Sequence, residues 1–168
     1  MGRNKGFLSA YTNAPAGQSV PMITVVGEAT PVVGFDTLTT ENVAAFAEQL
    51  QAMLETKYKD KFDKNITELP KAMILGDIPY VRYVKNFRKK DDNTLYQAQV
   101  LVTTNGGRMY TMELHVFADK IKADRDNAYA VAAGMKFKSA ASKKTEEPKT
   151  DEPKAAEKKD EEKQEEGK

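Results

Sequence analysis

The chain has 168 residues, with 26 lysines and arginines against 25 aspartates and glutamates, one histidine and no cysteine. Without cysteine there can be no disulfide framework, thiolate metal site or cysteine nucleophile, so zinc ribbons, redox motifs and papain-type chemistry are excluded. Because the net charge is close to zero, we expect no broad electric field that would gather nucleic acid or an acidic membrane.

Charge is concentrated at the C-terminal end of the chain. Residues 143–168 hold 8 lysines and 10 acidic residues, with only two alanines as apolar side chains. Such a segment cannot build a hydrophobic core, so residues 139–168 are predicted to form a disordered Lys/Glu/Pro-rich tail. A solubilising extension is the default interpretation of this tail, and a tether to a partner is the alternative. The folded domain is then expected to cover residues 20–138.

The N-terminal segment has no recognisable export signal. Residues 1–21 lack the run of about 7 to 15 apolar residues that a signal peptide requires, and no later run approaches the roughly 20 needed to cross a bilayer. We expect a cytoplasmic protein if Met1 is the true start, and an exported or periplasmic one if an upstream signal has been lost. Residues 1–19 are predicted to be a loop or a weak edge strand, with a truncated start as an open alternative.

The first clear helix and strand signals lie between residues 21 and 58. The β-branched run 21–26 predicts a strand, and residues 32–35 predict a shorter one. Thr39 or Thr40 is suited to cap a helix that should end near Tyr58. Apolar residues at helical spacing predict its buried face: Val43, Phe46, Ala47, Leu50, Met53 and Leu54.

Four strand signals follow the helix. They cover residues 66–75, 80–87, 95–103 and 108–117, and short turn-forming segments connect them. Consecutive strands are therefore predicted to pair as an antiparallel meander. In the last strand apolar residues alternate with polar ones, which gives that strand one face towards a core. We expect Phe46 and Leu50 of the helix to pack on this face, which carries Tyr110, Met112, Leu114 and Val116.

A second helix is predicted from about Asp119 to Ala133. Asp119 is suited to its start, and Gly134 to a left-handed residue at its end. Its apolar stripe is thin, so we expect it to cover the sheet less tightly than the first helix. Residues 135–137 are predicted to close the domain as a short strand.

Three segments are distinctive within this order of elements: Ile74-Leu75-Gly76-Asp77-Ile78-Pro79-Tyr80, Gly107-Arg108-Met109-Tyr110-Thr111-Met112 and Met135-Lys136-Phe137. Together with the order of elements, they resemble the PsbP and Mog-type superfamily, which includes DcrB-like proteins. The resemblance implies an α+β fold, an α/β/α sandwich with a central antiparallel meander sheet. It also implies a non-catalytic adaptor, because members bind a photosystem or a small GTPase, or lie at the envelope. The family usually opens with a strand leading into Pro-x-Gly-Trp, whereas this chain has no tryptophan.

Two groups of residues could carry chemistry but have simpler interpretations. On its strand His115 should point the same way as Glu113, which would suit a metal or acid–base role, yet no further ligand or nucleophile is near in sequence. Asp91 with Asp92 fits a solvated turn, and Asp124 with Asp126 fits a solvated helix face beside neutralising cations. We therefore predict no catalytic residue, no metal and no cofactor.

The densest basic group is a possible binding patch at a hairpin end. Basic side chains that could meet phosphates are interleaved with aromatic rings that could stack on bases, although hairpin ends are commonly charged for solubility. The residues of this patch are Tyr83, Lys85, Phe87, Arg88, Lys89 and Lys90.

These patterns favour a non-enzymatic binding or accessory protein. Its expected partner is a protein of unknown identity, in an envelope or a multiprotein complex. Weak binding of nucleic acid through the basic hairpin around Lys85 to Lys90 is the alternative, and an enzyme using His115 ranks third. No transmembrane segment is predicted, and the oligomeric state stays open.

Overall fold

The computed structural model describes residues 6–12, 14–88 and 93–137 of the chain. The fold is α+β, as predicted, with a six-stranded antiparallel sheet. The elements in chain order are β1 (Gly6–Thr12), β2 (Met22–Ala29), α1 (Val43–Tyr58), a short 3-10 turn (Lys59–Lys61), α2 (Phe62–Asn65), β3 (Ile66–Leu75), β4 (Ile78–Arg88), β5 (Leu95–Asn105), β6 (Arg108–Phe117) and α3 (Ile121–Ala133). The predicted tail 139–168 lies outside the described residues.

The strands lie in the order β1-β2-β6-β5-β4-β3. Strands β3 to β6 are consecutive neighbours and antiparallel, which confirms the predicted meander. Gly106 and Gly107 join β5 to β6 with φ of 57° and 74°, a left-handed turn that suits the twist of a tight hairpin. The segment that connects β2 to β3 contains α1. It crosses from β2, next to one edge of the sheet, to β3 at the other edge.

Helices α1 and α3 pack on opposite faces of the sheet. Val100 of β5 belongs to the core that contains Phe46 and Leu50 of α1, whereas the next residue, Leu101, belongs to the core that contains Ala128 of α3. Side chains alternate along a strand, so these cores lie on different sides. Leu114 and Val116 are in the α3-side core, and the prediction that Phe46 and Leu50 pack on them was wrong.

Helix α1 begins one turn after Thr39. The Thr39 N–H donates to Asn42 Oδ1 (2.7 Å), and the Asn42 N–H donates to Thr39 Oγ1 (3.3 Å). This reciprocal pair has the form of a capping box and orders the turn before the helix, but Asn42, rather than the predicted Thr39 or Thr40, is the residue that precedes α1. The predicted stripe is buried except for Met53, which is 43% exposed because it lies at the margin of the covered face.

Residues 32–35 form a loop, and the short strand predicted there was wrong. Val32 and Phe35 are buried in the α1-side core, but Val33 is 93% exposed, so the segment does not alternate as a strand would. Thr104 Oγ1 donates to the Phe35 carbonyl (2.7 Å), which fixes the loop at the end of β5. The apolar signal of this segment reflects burial beside α1.

The last helix ends at Ala133 as predicted, but its start and the conformation of Gly134 differ from the prediction. Lys120 rather than Asp119 precedes α3, and Gly134 has a φ of −85°, which is not left-handed. Residues 135–137 are not a strand: the Phe137 ring packs on Tyr110, with centroids 4.9 Å apart. Tyr110 lies on β6, which β2 and β5 flank, so no free strand edge is available there.

Both outer strands show how the sheet ends. Strand β1 pairs with β2 at one edge, so residues 6–12 adopt the edge-strand alternative. Strand β3 forms the other edge, and its pairing with β4 is interrupted between Ile66 and Glu68 and between Glu68 and Lys71. Pro70 lies in the second interruption, where its missing N–H costs no sheet hydrogen bond.

Candidate functional site

A part of the sheet extends beyond α1 on the α1 side. Helix α1 makes its main contacts with β3 and β4, whereas β2 and β6 lie further along the sheet. The strand register places alternate residues of β2 and β6 on this side, opposite Ala98 and Val100 of the α1-side core. We call this surface the open face, and its residues are Met22, Thr24, Val26, Thr111, Glu113 and His115. All six are half-buried.

An ion cluster of three side chains lies at the border between α1 and the open face. Lys85 Nζ donates to Glu113 Oε1 at 2.6 Å, and His115 Nε2 lies 2.8 Å from Glu113 Oε2. Glu113 and His115 share a face because they are two residues apart on β6. Lys85 lies opposite Ala98, which lies opposite His115, and the small Ala98 lets the lysine side chain cross β5.

The cluster holds one stable carboxylate charge. Burial alone would raise the pKa of Glu113, but the hydrogen bond from His115 and the charge of Lys85 outweigh it and lower the pKa to about 2. Burial, assisted by the negative charge of Glu113, raises the pKa of Tyr83, so its phenol stays neutral. Glu113 is thus a fixed anion with a partner on each oxygen.

A row of aromatic rings lies next to the ion cluster. Phe87, Tyr96 and Phe117 are directly opposite one another on β4, β5 and β6. Their rings stack in sequence, with centroids 5.5 Å and 5.4 Å apart and interplanar angles of 24°. The Phe87 ring also packs on His115, at 5.2 Å. The row therefore fixes the orientation of the histidine ring from one side.

The described residues of the predicted basic patch are engaged in contacts within the chain. Tyr83 is only 8% exposed and lies in the α1-side core, so it is not available to a surface ligand. Lys85 is bound to Glu113, and Arg88 donates to the backbone carbonyl of Asn93. Phe87 belongs to the aromatic row. Lys89 and Lys90, like the Asp91 and Asp92 pair, lie outside the described residues.

The second carboxylate pair does not form a site. Asp124 and Asp126 are two residues apart on α3, so they point in different directions, and Asp126 is exposed. Across the residues that the structure describes, no group of three or more histidine and acidic side chains is arranged to hold a metal ion.

One polar cluster was missed by sequence reasoning. Glu68 of β3 accepts hydrogen bonds from both Arg82 of β4 and Arg125 of α3. Burial would raise the pKa of Glu68, but the two guanidinium groups outweigh it and lower the pKa. The cluster ties α3 to the edge of the sheet. No local pattern signals it, because Arg125 is distant from Glu68 in sequence.

Comparison with known proteins gives no family for this chain, since no family model and no curated protein matches its sequence. Within the described ranges, no helix has the length and apolar composition needed to span a bilayer.

Proposed function

We propose that the protein is a non-enzymatic binding or accessory protein with the α/β/α sandwich architecture of the PsbP and Mog-type superfamily, and that a partner protein docks on the open face. The observation that carries this proposal is the ion cluster of Lys85, Glu113 and His115, half-buried at the border of a sheet surface that extends beyond α1. Two core clusters on opposite sides of the sheet support the sandwich architecture.

The composition of the open face suits a protein partner. It combines threonine, aliphatic and charged side chains, and the aromatic row adjoins it, a mixture typical of non-obligate interfaces. Each residue on one face of a sheet occupies roughly 33 Å², so the six residues supply roughly 200 Å². That area is below the roughly 800 Å² per partner of a standard interface. The proposed partner therefore presents a small element and binds weakly.

The ion cluster supports binding better than acid–base catalysis. Glu113 accepts from both Lys85 and His115, so its two oxygens are already engaged. A carboxylate with a pKa of about 2 is too weak a base for proton transfer near neutral pH. The cluster instead offers a fixed arrangement of polar groups, which favours recognition of complementary polar groups on a partner.

The experiment first identifies a partner and then tests the surface. A photoreactive side chain placed at Thr111 of the full chain marks proteins that contact the open face in the source cells. The marked protein is then purified and titrated against the wild type and Thr24→Arg, with Thr56→Arg on the exposed side of α1 as the matched control. Saturable binding that Thr24→Arg abolishes and Thr56→Arg preserves supports the proposal. Equal binding by both variants, or no binding by the purified protein, refutes it.

A further inference from the structure

We propose that a cavity at the forked end of β4 and β5 binds a small organic ammonium ion. The cavity has a volume of about 140 Å³ and lies at the opposite end of β5 from the aromatic row. This inference does not rest on the proposed function, because the cavity shares no residue with the open face. The residues that matter for the argument are Asp77, Ile78, Pro79, Thr103, Asn105 and Phe137.

The fork arises from where strand pairing stops. The described pairing between β4 and β5 ends at Val81 and Val102. Strand β4 stays paired with β3 as far as Ile78, and β5 stays paired with β6 as far as Asn105. Residues 78–80 of β4 and 103–105 of β5 are therefore not paired with each other. Pro79 has no N–H that could donate a hydrogen bond across the space between them. A space between two continuous backbones results.

Loops close two sides of this space. On one side the Leu38 N–H donates to the Thr104 carbonyl (3.0 Å), and the Gly106 N–H donates to Thr37 Oγ1 (3.0 Å). On the other side Phe137 is held against Tyr110. The walls are thus fixed by hydrogen bonds and ring packing, which is the preformed character expected of a ligand site.

The chemistry of the lining favours a cation with polar substituents. Asp77 is the one ionisable side chain that lines the cavity among the described residues, so the site has a negative charge. Phe137 supplies an aromatic ring, which attracts cations through its face. Thr103, which is 1% exposed, also lines the cavity. A hydroxyl on the ligand would have the Thr103 hydroxyl as a hydrogen-bonding counterpart.

The volume limits the size of the ligand. A protein cavity of about 150 Å³ accommodates a six-carbon ring, so a ligand of about six to eight non-hydrogen atoms fits here. Choline has this size, a permanent positive charge and one hydroxyl. Its neutral isostere, 3,3-dimethylbutan-1-ol, has the same shape without the charge. The pair therefore separates recognition of charge from simple filling of space.

The test is an NMR titration of the full chain with each compound, read from backbone amide shifts. Saturable shifts at Thr103 and Asn105 are expected, with choline bound at least about fivefold more tightly than its isostere. Asp77→Asn should abolish this preference, and Asn also suits the turn at that position. Asp60→Asn, an exposed aspartate on the 3-10 turn, is the matched control and should preserve the preference.

Three results would overturn the inference. One is equal affinity of the wild type for choline and its isostere. Another is an unchanged preference in Asp77→Asn. The third is saturable binding of Ca²⁺ at the same amides with none of choline, which would make the cavity a metal site.

A second variant, Thr103→Val, keeps the side-chain shape. It should weaken the binding of both compounds equally, since both carry the hydroxyl.

Discussion

The ion cluster makes the stability of the fold depend on pH, and Glu113→Gln isolates that dependence. Glutamine keeps the shape of the side chain but removes its charge, so Lys85 and His115 would face a neutral amide. Glu113 has 23% side-chain exposure, so solvent screens these interactions only in part. A substantial loss of stability is therefore expected at neutral pH.

The magnitude follows from the pKa of Glu113, which is about 2 in the folded protein against an ordinary value of 4.5. Each pKa unit corresponds to about 1.4 kcal/mol, so the ionised carboxylate contributes about 3 kcal/mol to the free energy of unfolding. Because the folded pKa lies below the unfolded one, this contribution is present above pH 4.5. It is lost as the pH falls towards 2.

The assay is urea denaturation of the wild type and Glu113→Gln from neutral pH down to about pH 2, with Glu48→Gln on the exposed side of α1 as the control. The difference between wild type and variant cancels the titration of other carboxylates. We expect a gap of about 3 kcal/mol at neutral pH that disappears near pH 2. A gap below about 0.5 kcal/mol, or one that is equal at every pH, would refute the reasoning.

Three further predictions concern the core of the domain and the contacts of its helices. Phe46→Ala removes a fully buried ring and should lower the free energy of unfolding by about 3 to 5 kcal/mol in urea denaturation. The control Met53→Ala on the same helix should lower it by less than about 1 kcal/mol. Similar losses in both variants would contradict the burial of the Phe46 face of α1. Gln99→Met should raise the melting temperature, because both polar atoms of the Gln99 amide are buried without a partner among the described residues. Leaving such groups unpaired costs about 1 to 3 kcal/mol. A lower melting temperature in the variant would mean that the amide has hydrogen-bond partners. Glu68→Gln should speed hydrogen exchange of the α3 amides more than those of α1, because Glu68 holds Arg125, and equal acceleration in both helices would contradict this role.

Periodicity predicted the elements of the meander well but not the helix that covers each face. The alternation in β6 correctly separates Leu114 from His115. In β5, however, seven consecutive residues are buried, from Ala98 to Thr104, so burial does not alternate along that strand. Nothing in such a run indicates which side receives α1. Phe46 was assigned to the side of the sheet that carries Leu114, which α3 covers instead.

The candidate site was predictable in part for a related reason. The spacing of Glu113 and His115 on one strand was enough to place them together. Lys85 joins them through strand register, which the turn lengths constrain but do not determine. Tyr83 was included in the possible patch because aromatic and basic residues are interleaved there, yet it lies in the core beneath α1. The Glu68 cluster and the forked cavity depend on tertiary contacts and strand separation, which leave no local pattern.

The route of the backbone also bears on how the sheet is completed during synthesis. Strands β3 to β6 pair with their sequence neighbours, so their contacts can form quickly. Strand β2 is different, because Met22 meets His115 only after nearly the whole domain has been translated. Until then Ile23 and Val25, both buried in the finished sheet, can pair only with β1, and the other edge of β2 has no partner strand. Until β6 has left the ribosome, the unpaired edge of β2 is therefore expected to be exposed and accessible to chaperones.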